Sequence, residues 1–395
     1  MNAAANFIQI HFLTTYGANV LNRDDLNRPK SMVFGSAPRL RLSSQAVKRA
    51  WRVSDVLAAL ERGTRSRGFW LQLGTEAVAA GHAEADVIAH ILPLRSAVEG
   101  AKAASAKAED DVSEDGEVAE VPEVKEVKPG KAGAKPKKKQ ALKSLADLAG
   151  NLFFFSKSEE VALRNALMTS LGEVGSKSEP MKAPAAEAVL SAGLAMSADV
   201  AMFGRMVAEN RKLSVEGAVQ VAHVFTVHKA VIDDDYFTAV DDLAGELDSI
   251  TGSGHLGSNA FGSGLYYGYV NIDVKTLLKN LNGDMDKARQ LVECLVEAIA
   301  TVAPGAKQNT FAARSYTSYL SVETGNAQPR AYADAFIRPV TGEDIPGTAV
   351  ERVQAARAEL DRSFPRQAFS CTELNRIAGT GSLPELVDAA VKALG

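Results

Sequence analysis

The chain has 395 residues and a mass of 41.8 kDa, which at about 150 residues per domain allows two or three domains. Its 46% hydrophobic and 23% charged residues are ordinary globular usage, and they exclude a wholly disordered, collagen-like or membrane-spanning chain. Lys and Arg number 44 against 48 Asp and Glu, a formal charge of −4, so a nucleic-acid binder held by bulk charge is excluded and local clusters would have to supply any such contact.

Phe7 to Thr15 reads as a strand, with Phe7, Gln9, His11 and Leu13 on one side and Ile8, Ile10 and Phe12 on the other. Apolar residues on both sides mark a central strand. A polar loop runs from Tyr16 to Pro38. Arg39, Leu40, Arg41 and Leu42 then alternate basic with apolar, and Ser43 or Ser44 caps a helix predicted over Gln45 to Glu61. Residues 101–140 hold almost no large apolar side chains, and their charge is segregated: acids from Glu109 to Glu123 come first, lysines from Lys125 to Lys139 follow. Such a segment buries too little surface to offset its ordering entropy, which predicts a solvated linker.

Helical patterns follow over Leu142 to Leu152, Glu159 to Val174 and Ala185 to Met202. The period then changes to two over Gly217 to His228 and again over Leu265 to Ile272, which predicts strands. A helix is expected from its cap Asp284 to Val302, stopped by Pro304-Gly305. A strand over Thr310 to Val322 and helices over Val353 to Ser363 and Leu383 to Leu394 complete the chain. The order is β-α-β-β-α-β with a large helical insertion, an α+β fold of the ferredoxin-like kind that includes RNA-recognition modules. Fold alone does not assign function.

Two cysteines, Cys294 and Cys371, support neither a disulfide framework nor a Cys-based zinc site, and they fit a reducing, cytoplasmic setting. No apolar run approaches the length of a membrane span, and the start lacks a secretory pattern, so no membrane role is expected.

Charge is concentrated at the start. Residues 1–60 carry Arg23, Arg28, Lys30, Arg39, Arg41, Lys48, Arg49 and Arg52 against Asp24, Asp25 and Asp55, a balance of +5, and the other 335 residues sum to −9. On a helix Lys48 and Arg52 share a face, with Gln45 one turn before Lys48. Guanidinium forks, an ammonium, hydroxyls and the free amides of a helix start are the groups that grip a phosphate ribbon, whereas a plain solvated helix face is the simpler reading.

These blocks carry a resemblance. FIQIH (Phe7 to His11), LNRDDLNRPK (Leu21 to Lys30) and RLRLSSQAVKRAWR (Arg39 to Arg52) resemble the opening of the CasC family, the backbone subunits of the type I-E CRISPR surveillance complex, Cascade. FGRM (Phe203 to Met206), YFTAVDDL (Tyr236 to Leu243), GHLGS (Gly254 to Ser258), YVNI (Tyr269 to Ile272) and APGAKQNTFAA (Ala303 to Ala313) follow in the family's order. The likeness covers roughly residues 6–60 and 190–314, fades past Arg314, and does not include the charged insert.

The resemblance implies a right-hand-shaped subunit with an RNA-recognition-type palm (1–60 and 261–395), a helical finger insertion (61–195) and a β-hairpin thumb (196–260). It implies a guide RNA (crRNA) as partner, other copies stacked head to tail, further Cascade subunits, and target DNA met through guide pairing, with no cofactor and no catalysis. Arg23, Lys30, Arg41, Ser43, Gln45, Lys48, Arg49 and Arg52 are then RNA-backbone contacts, which suits a protein that accepts any spacer. Met206, Phe237 and Thr238 become the wedge that displaces a nucleotide, and Lys307, with Gln308, adds a phosphate contact. The competing expectations place Met206 and Phe237 in the core and Lys307 in an ordinary exposed loop.

Other constellations carry less. Tyr266, Tyr267 and Tyr269 suggest base stacking, but alternation puts Tyr267 and Tyr269 on one strand face and Tyr266 on the other, so at least one is expected in the core. His223 and His228 fall on opposite faces of their predicted strand. Asp24-Asp25 and the run Asp233-Asp234-Asp235 leave a metal-dependent ribonuclease as the rival reading, and Asp241-Asp242 are expected to support the thumb.

Overall fold

The first strand, β1 (Phe7–Asn19), is buried along most of its length because both faces of the sheet around it are covered. The computed structural model describes residues 4–100, 144–190, 194, 196–207, 210–239 and 255–395, so the expected linker and Asp241-Asp242 lie outside the described residues. In chain order follow β2 (Ser31–Phe34), β3 (Ala37–Leu42), α1 (Ser44–Arg52), β4 (Thr64–Ser66), α2 (Phe69–Ala79) and α3 (Glu84–Glu99). Next come β5 (Phe153–Phe155), α4 (Lys157–Leu171), α5 (Ala183–Leu190), α6 (Ala198–Phe203), β6 (Val219–Val221), β7 (Val224–Thr226), β8 (Ile232–Ala239) and β9 (His255–Asp273). The last are α7 (Val274–Asn280), α8 (Met285–Thr301), α9 (Gln308–Phe311), β10 (Tyr319–Gly325), α10 (Ile345–Ser363), β11 (Ser370–Asn375) and α11 (Leu383–Lys392). Among the described residues no helix is long and apolar enough to cross a membrane.

The chain forms two compact units, Met1–Leu60 with Ala218–Lys279 and Gly283–Gly395, and Glu61–Gly217 with Asn280–Asn282. The segment 196–260 is therefore shared between them. In the first unit an antiparallel sheet runs in the order β11-β10-β1-β9-β7-β3-β2. The long β9 also pairs with β6 beside β7, and its start pairs with β8 to make a hairpin.

One face of this sheet packs on helices. Phe12, Thr14 and Tyr16 of β1 line a shared cleft with Val47 and Trp51 of α1 and Ile299 of α8. Phe12 meets Trp51 edge-on and lies over Gly268, its cross-strand partner, where an added Cβ would fall 2.0 Å from the ring. The helix α1 starts where Ser43 Oγ accepts from Ala46 N, and Ser54 Oγ ends it by donating to Trp51 O at 2.7 Å, well short of the expected Glu61.

The other face, which RNA-recognition sheets leave open for bases, is closed. Leu13, Phe225, Leu265, Tyr267 and Tyr319 pack against Tyr332, Phe336 and the α10 residues Ala349, Val350 and Val353. Tyr267 is buried here, and Tyr266 is buried on the opposite face against Tyr16. A polar seam crosses this closed face. Tyr332 Oη donates to both Glu323 oxygens at 2.7 and 2.8 Å, Arg330 pairs with Asp361 at 2.5 Å, and His11 stacks on Tyr332.

In the second unit β4 and β5 pair, and α2, α3 and α4 enclose Trp70, Leu94, Phe155 and Leu163. Trp70 Nε1 donates to Glu99, which also pairs with Arg95 one turn earlier. The expected helix over 142–152 is instead a short 3-10 turn (Leu145–Leu148) leading into β5, and that over 185–202 is divided into α5 and α6. The expected strand over 310–322 begins only at Tyr319, because Gln308 Nε2 donates to Pro304 O and Ala313 O and curls the preceding residues into α9.

Burial, then the positive charges of Arg330 and Arg357, hold His11 down to about 3, from the ordinary 6.5. The unfolded chain thus takes up a proton near pH 6.5 that the folded chain refuses until about pH 3. The stability His11 contributes is complete above pH 6.5 and declines as pH falls, at about 1.4 kcal/mol per pH unit. Glu323, raised by burial, acts in the opposite sense where the folded carboxyl binds its proton first. Urea unfolding at about pH 6 and pH 5 should therefore show His11→Gln losing about 1 kcal/mol less than the parent chain over that step. Equal losses would contradict a neutral buried imidazole.

Candidate nucleic-acid interface

The loop after β1 is built around one carboxylate. Asp24 Oδ1 accepts from Leu26 N at 3.0 Å and Arg28 N at 2.8 Å, and Arg23 Nη1 donates to Asn27 Oδ1 at 2.9 Å. Asp24 is thereby engaged by its own loop, while Asp25 is exposed. Lys30 N donates to Asn22 O and Arg41 N donates to Lys30 O, which sets Lys30 beside Arg41 at the strand end. Asn22 Oδ1 also accepts from Ser43 N at 2.8 Å, tying this loop to the start of α1.

The expected contacts divide by surroundings. Leu42 lines the cleft beneath α1 with Val47 and Trp51, so Arg41, one residue earlier on the strand, leaves on the other side. There its Nη1 lies 2.7 Å from His223 Nδ1. Gln45 and Arg49 are exposed on α1, Lys48 and Arg52 are half-buried, and burial lowers the Lys48 pKa. Ser43 is buried, its oxygen occupied by the helix cap. Arg39, counted with the basic cluster from sequence, is fully buried and donates to Thr226 O at 3.0 Å and Phe336 O at 2.8 Å; it braces the core and leaves the surface cluster one charge smaller.

The β8–β9 hairpin extends from the sheet with nearly all of β8 exposed. Phe237 faces Gly257 across the pair, where an added Cβ would meet the ring at 2.5 Å, so glycine lets the ring lie flat on the backbone. Phe237 is 38% exposed, Thr238 is exposed, and neither is core. Asp233, Asp234 and Asp235 lie on β8, where alternation sends Asp234 to the face opposite the other two, and Arg28 sits 3.4 Å from Asp234. Among the described residues no group of three or more His, Cys, Asp and Glu is arranged to hold a metal.

Met206 lies in the second unit and Phe237 in the first. Met206 is 74% exposed, on a segment that bridges Arg205 to Val215 in both directions. Lys307 has a left-handed backbone (φ 49°) and donates from Nζ to Asn259 Oδ1 at 2.9 Å, which fastens it to β9 opposite Asp235 in the hairpin.

The sequence profile of the family described as "CT1975-like protein" matches residues 8–388. The chain belongs to that family. A chain of a solved "CRISPR RNA-guided surveillance complex, pre-nicking" is similar with a TM-score of 0.75 and 26% identity, covering 98% of this chain and 100% of that one. A chain of a second "CRISPR RNA-guided surveillance complex" is similar in fold, with a TM-score of 0.57, 23% identity and the same coverage. Curated proteins give no significant sequence match.

Two residues of this CT1975-like chain have roles that the sequence alone does not reveal. His223 appeared as one position in an unbroken strand, and only pairing shows that it faces Arg41. Arg205 appeared as part of a motif, yet it anchors the Met206 segment. Its guanidinium donates to both oxygens of Glu159 at 2.6 and 2.8 Å and also to Phe154 O and Leu213 O, and it lies over the Phe153 ring. Glu159 in turn accepts from Ser156 N as the capping box of α4. Removing one partner strands a buried charge, so Arg205→Ala should lower unfolding stability by about 3–5 kcal/mol. A loss below about 1 kcal/mol in chemical denaturation would show that this pair is not what holds the segment.

Proposed function

We propose that this protein is the guide-RNA-binding backbone subunit of a type I-E CRISPR surveillance complex of the CasC kind. The observation that carries this reading is the full-length likeness, at TM-score 0.75 and 26% identity, to a chain of an RNA-guided surveillance complex. The strand order β10-β1-β9-β7, with α1 and α8 on one face, supports a ferredoxin-like palm at its centre. In this reading the second unit is the finger and the β8–β9 hairpin is the thumb.

The mechanism follows from the residue types. Arg23, Lys30, Arg41, Gln45, Lys48, Arg49 and Arg52 take RNA phosphates, and Ser43 orders the amides at the α1 start. Phosphate contacts fix register and carry no sequence information, which leaves the bases free to pair with target DNA. Exposed Met206 provides a thioether, and Phe237 and Thr238, in the other unit, provide a ring and a methyl; each is the kind of group that fills the gap beside a displaced base. Lys307, fastened to Asn259, joins the hairpin to this path. Copies stacked head to tail form an open, repeating interface along the guide, with other subunits at its ends.

Arg41→Ala and Lys48→Ala should therefore weaken binding of every guide sequence alike and flatten the dependence on salt by about one unit per lost contact. Filter binding over a salt series with guides of unrelated sequence measures both, and a sequence-dependent loss would contradict phosphate contact. The ribonuclease reading retains Asp25 as an exposed carboxylate, whereas Asp24 already serves its loop. Guide RNA incubated with the purified protein and Mg2+ should stay intact; cleavage lost in Asp25→Ala would overturn a purely scaffolding role.

A further inference from the structure

A bulge places one histidine against the basic cluster. Val221 pairs with Val270 and Phe225 with Tyr267, so the β6–β7 side has one residue more than β9 between those pairs. Such an extra residue breaks the pleat and re-aims a side chain. Ala222 N still bonds Tyr269 O, and the next residue, His223, is turned outward to the surface. Its Nδ1 is 2.7 Å from Arg41 Nη1. Partial burial and then the charges of Arg41, on β3, and Lys30, in the segment entering β2, hold the imidazole below its ordinary pKa. At neutral pH it is therefore the acceptor that a guanidinium donor requires.

We propose that His223 is a positioning residue for RNA binding: it holds the Arg41 guanidinium by one edge so that the remaining N–H groups face a backbone phosphate. An arginine left to itself samples many rotamers and loses that freedom on binding. One pinned by a neutral acceptor has lost part of it already, without losing its charge. The inference rests on the RNA-binding reading of the same cluster. It adds a residue that makes its contribution through Arg41 and needs no contact with RNA of its own.

The test is a double-mutant cycle on the full chain, read as anisotropy of a labelled single-stranded RNA of mixed sequence at about pH 7.5. His223→Ala should weaken binding about two- to tenfold, the scale of ordering one long side chain. His223→Gln, which offers a carbonyl acceptor, should recover most of that loss. In the Arg41→Ala background His223→Ala should add nothing, because the two residues act as one unit. Thermal melting of each variant separates these losses from misfolding. Independent, additive losses, or a His223→Gln variant as weak as His223→Ala, would overturn the proposal. Should Arg41→Ala weaken binding while both His223 variants bind as the parent does, the positioning role fails and the RNA-binding reading stands. Should the parent chain bind no RNA, both fall together.

Discussion

The covering of both sheet faces around β1 is the constraint on which the rest depends. On one side Phe12 is wedged between Gly268 and Trp51, and on the other Leu13 and Tyr267 lie under α10. A sheet sealed on both faces offers no platform for stacked bases. Any long polyanion must be met at its margins: the loop and strand end that carry Arg23, Lys30 and Arg41, the exposed side of α1, and the projecting hairpin. The polar seam of Glu323, Arg330, Tyr332 and Asp361 is part of this closure, because Arg330 pairs both with Asp361 of α10 and with Glu323 of the sheet and so ties the helix to it.

The net charge of −4 conceals this arrangement. Position restores it: the first 60 residues hold a surplus of +5, and burial then removes Arg39 from the surface share. What is left divides between Arg41 with Lys30 and His223, on one side of β3, and the residues of α1 that follow Ser43. Met206 owes its exposure to the opposite kind of electrostatics, a fully buried Arg205–Glu159 pair whose donors and acceptors are matched. Such a pair contributes definition more than net stability, since replacing it whole would cost far less than breaking it.

Elements with local start and stop signals were legible in the sequence. Asp284 caps α8 where expected, and β1 announced its double burial through apolar residues on both sides. Elements set by contacts distant in sequence were not. Arg39 reads as a surface cation until the carbonyls of Thr226 and Phe336, 187 and 297 residues away, are folded around it. The strand β8 has no buried face, so its acids masked it, and β11 pairs only as the sheet's polar edge. A single extra residue in the β6–β7 segment separated a smooth period-two pattern from the bulge that turns His223 toward Arg41. Of the candidate site, residue types were visible early; which of them share a side of β3 was not.

The proposed role is to hold an RNA guide along repeated copies of this chain. It is tested most directly by co-expressing the full chain with a CRISPR array and its neighbouring subunits, purifying the assembly, and sizing the RNA that survives nuclease digestion. Bound guide RNA whose protected length grows by a constant increment with each added copy is the expected result. An assembly free of RNA, or protected fragments with no regular step, would contradict it.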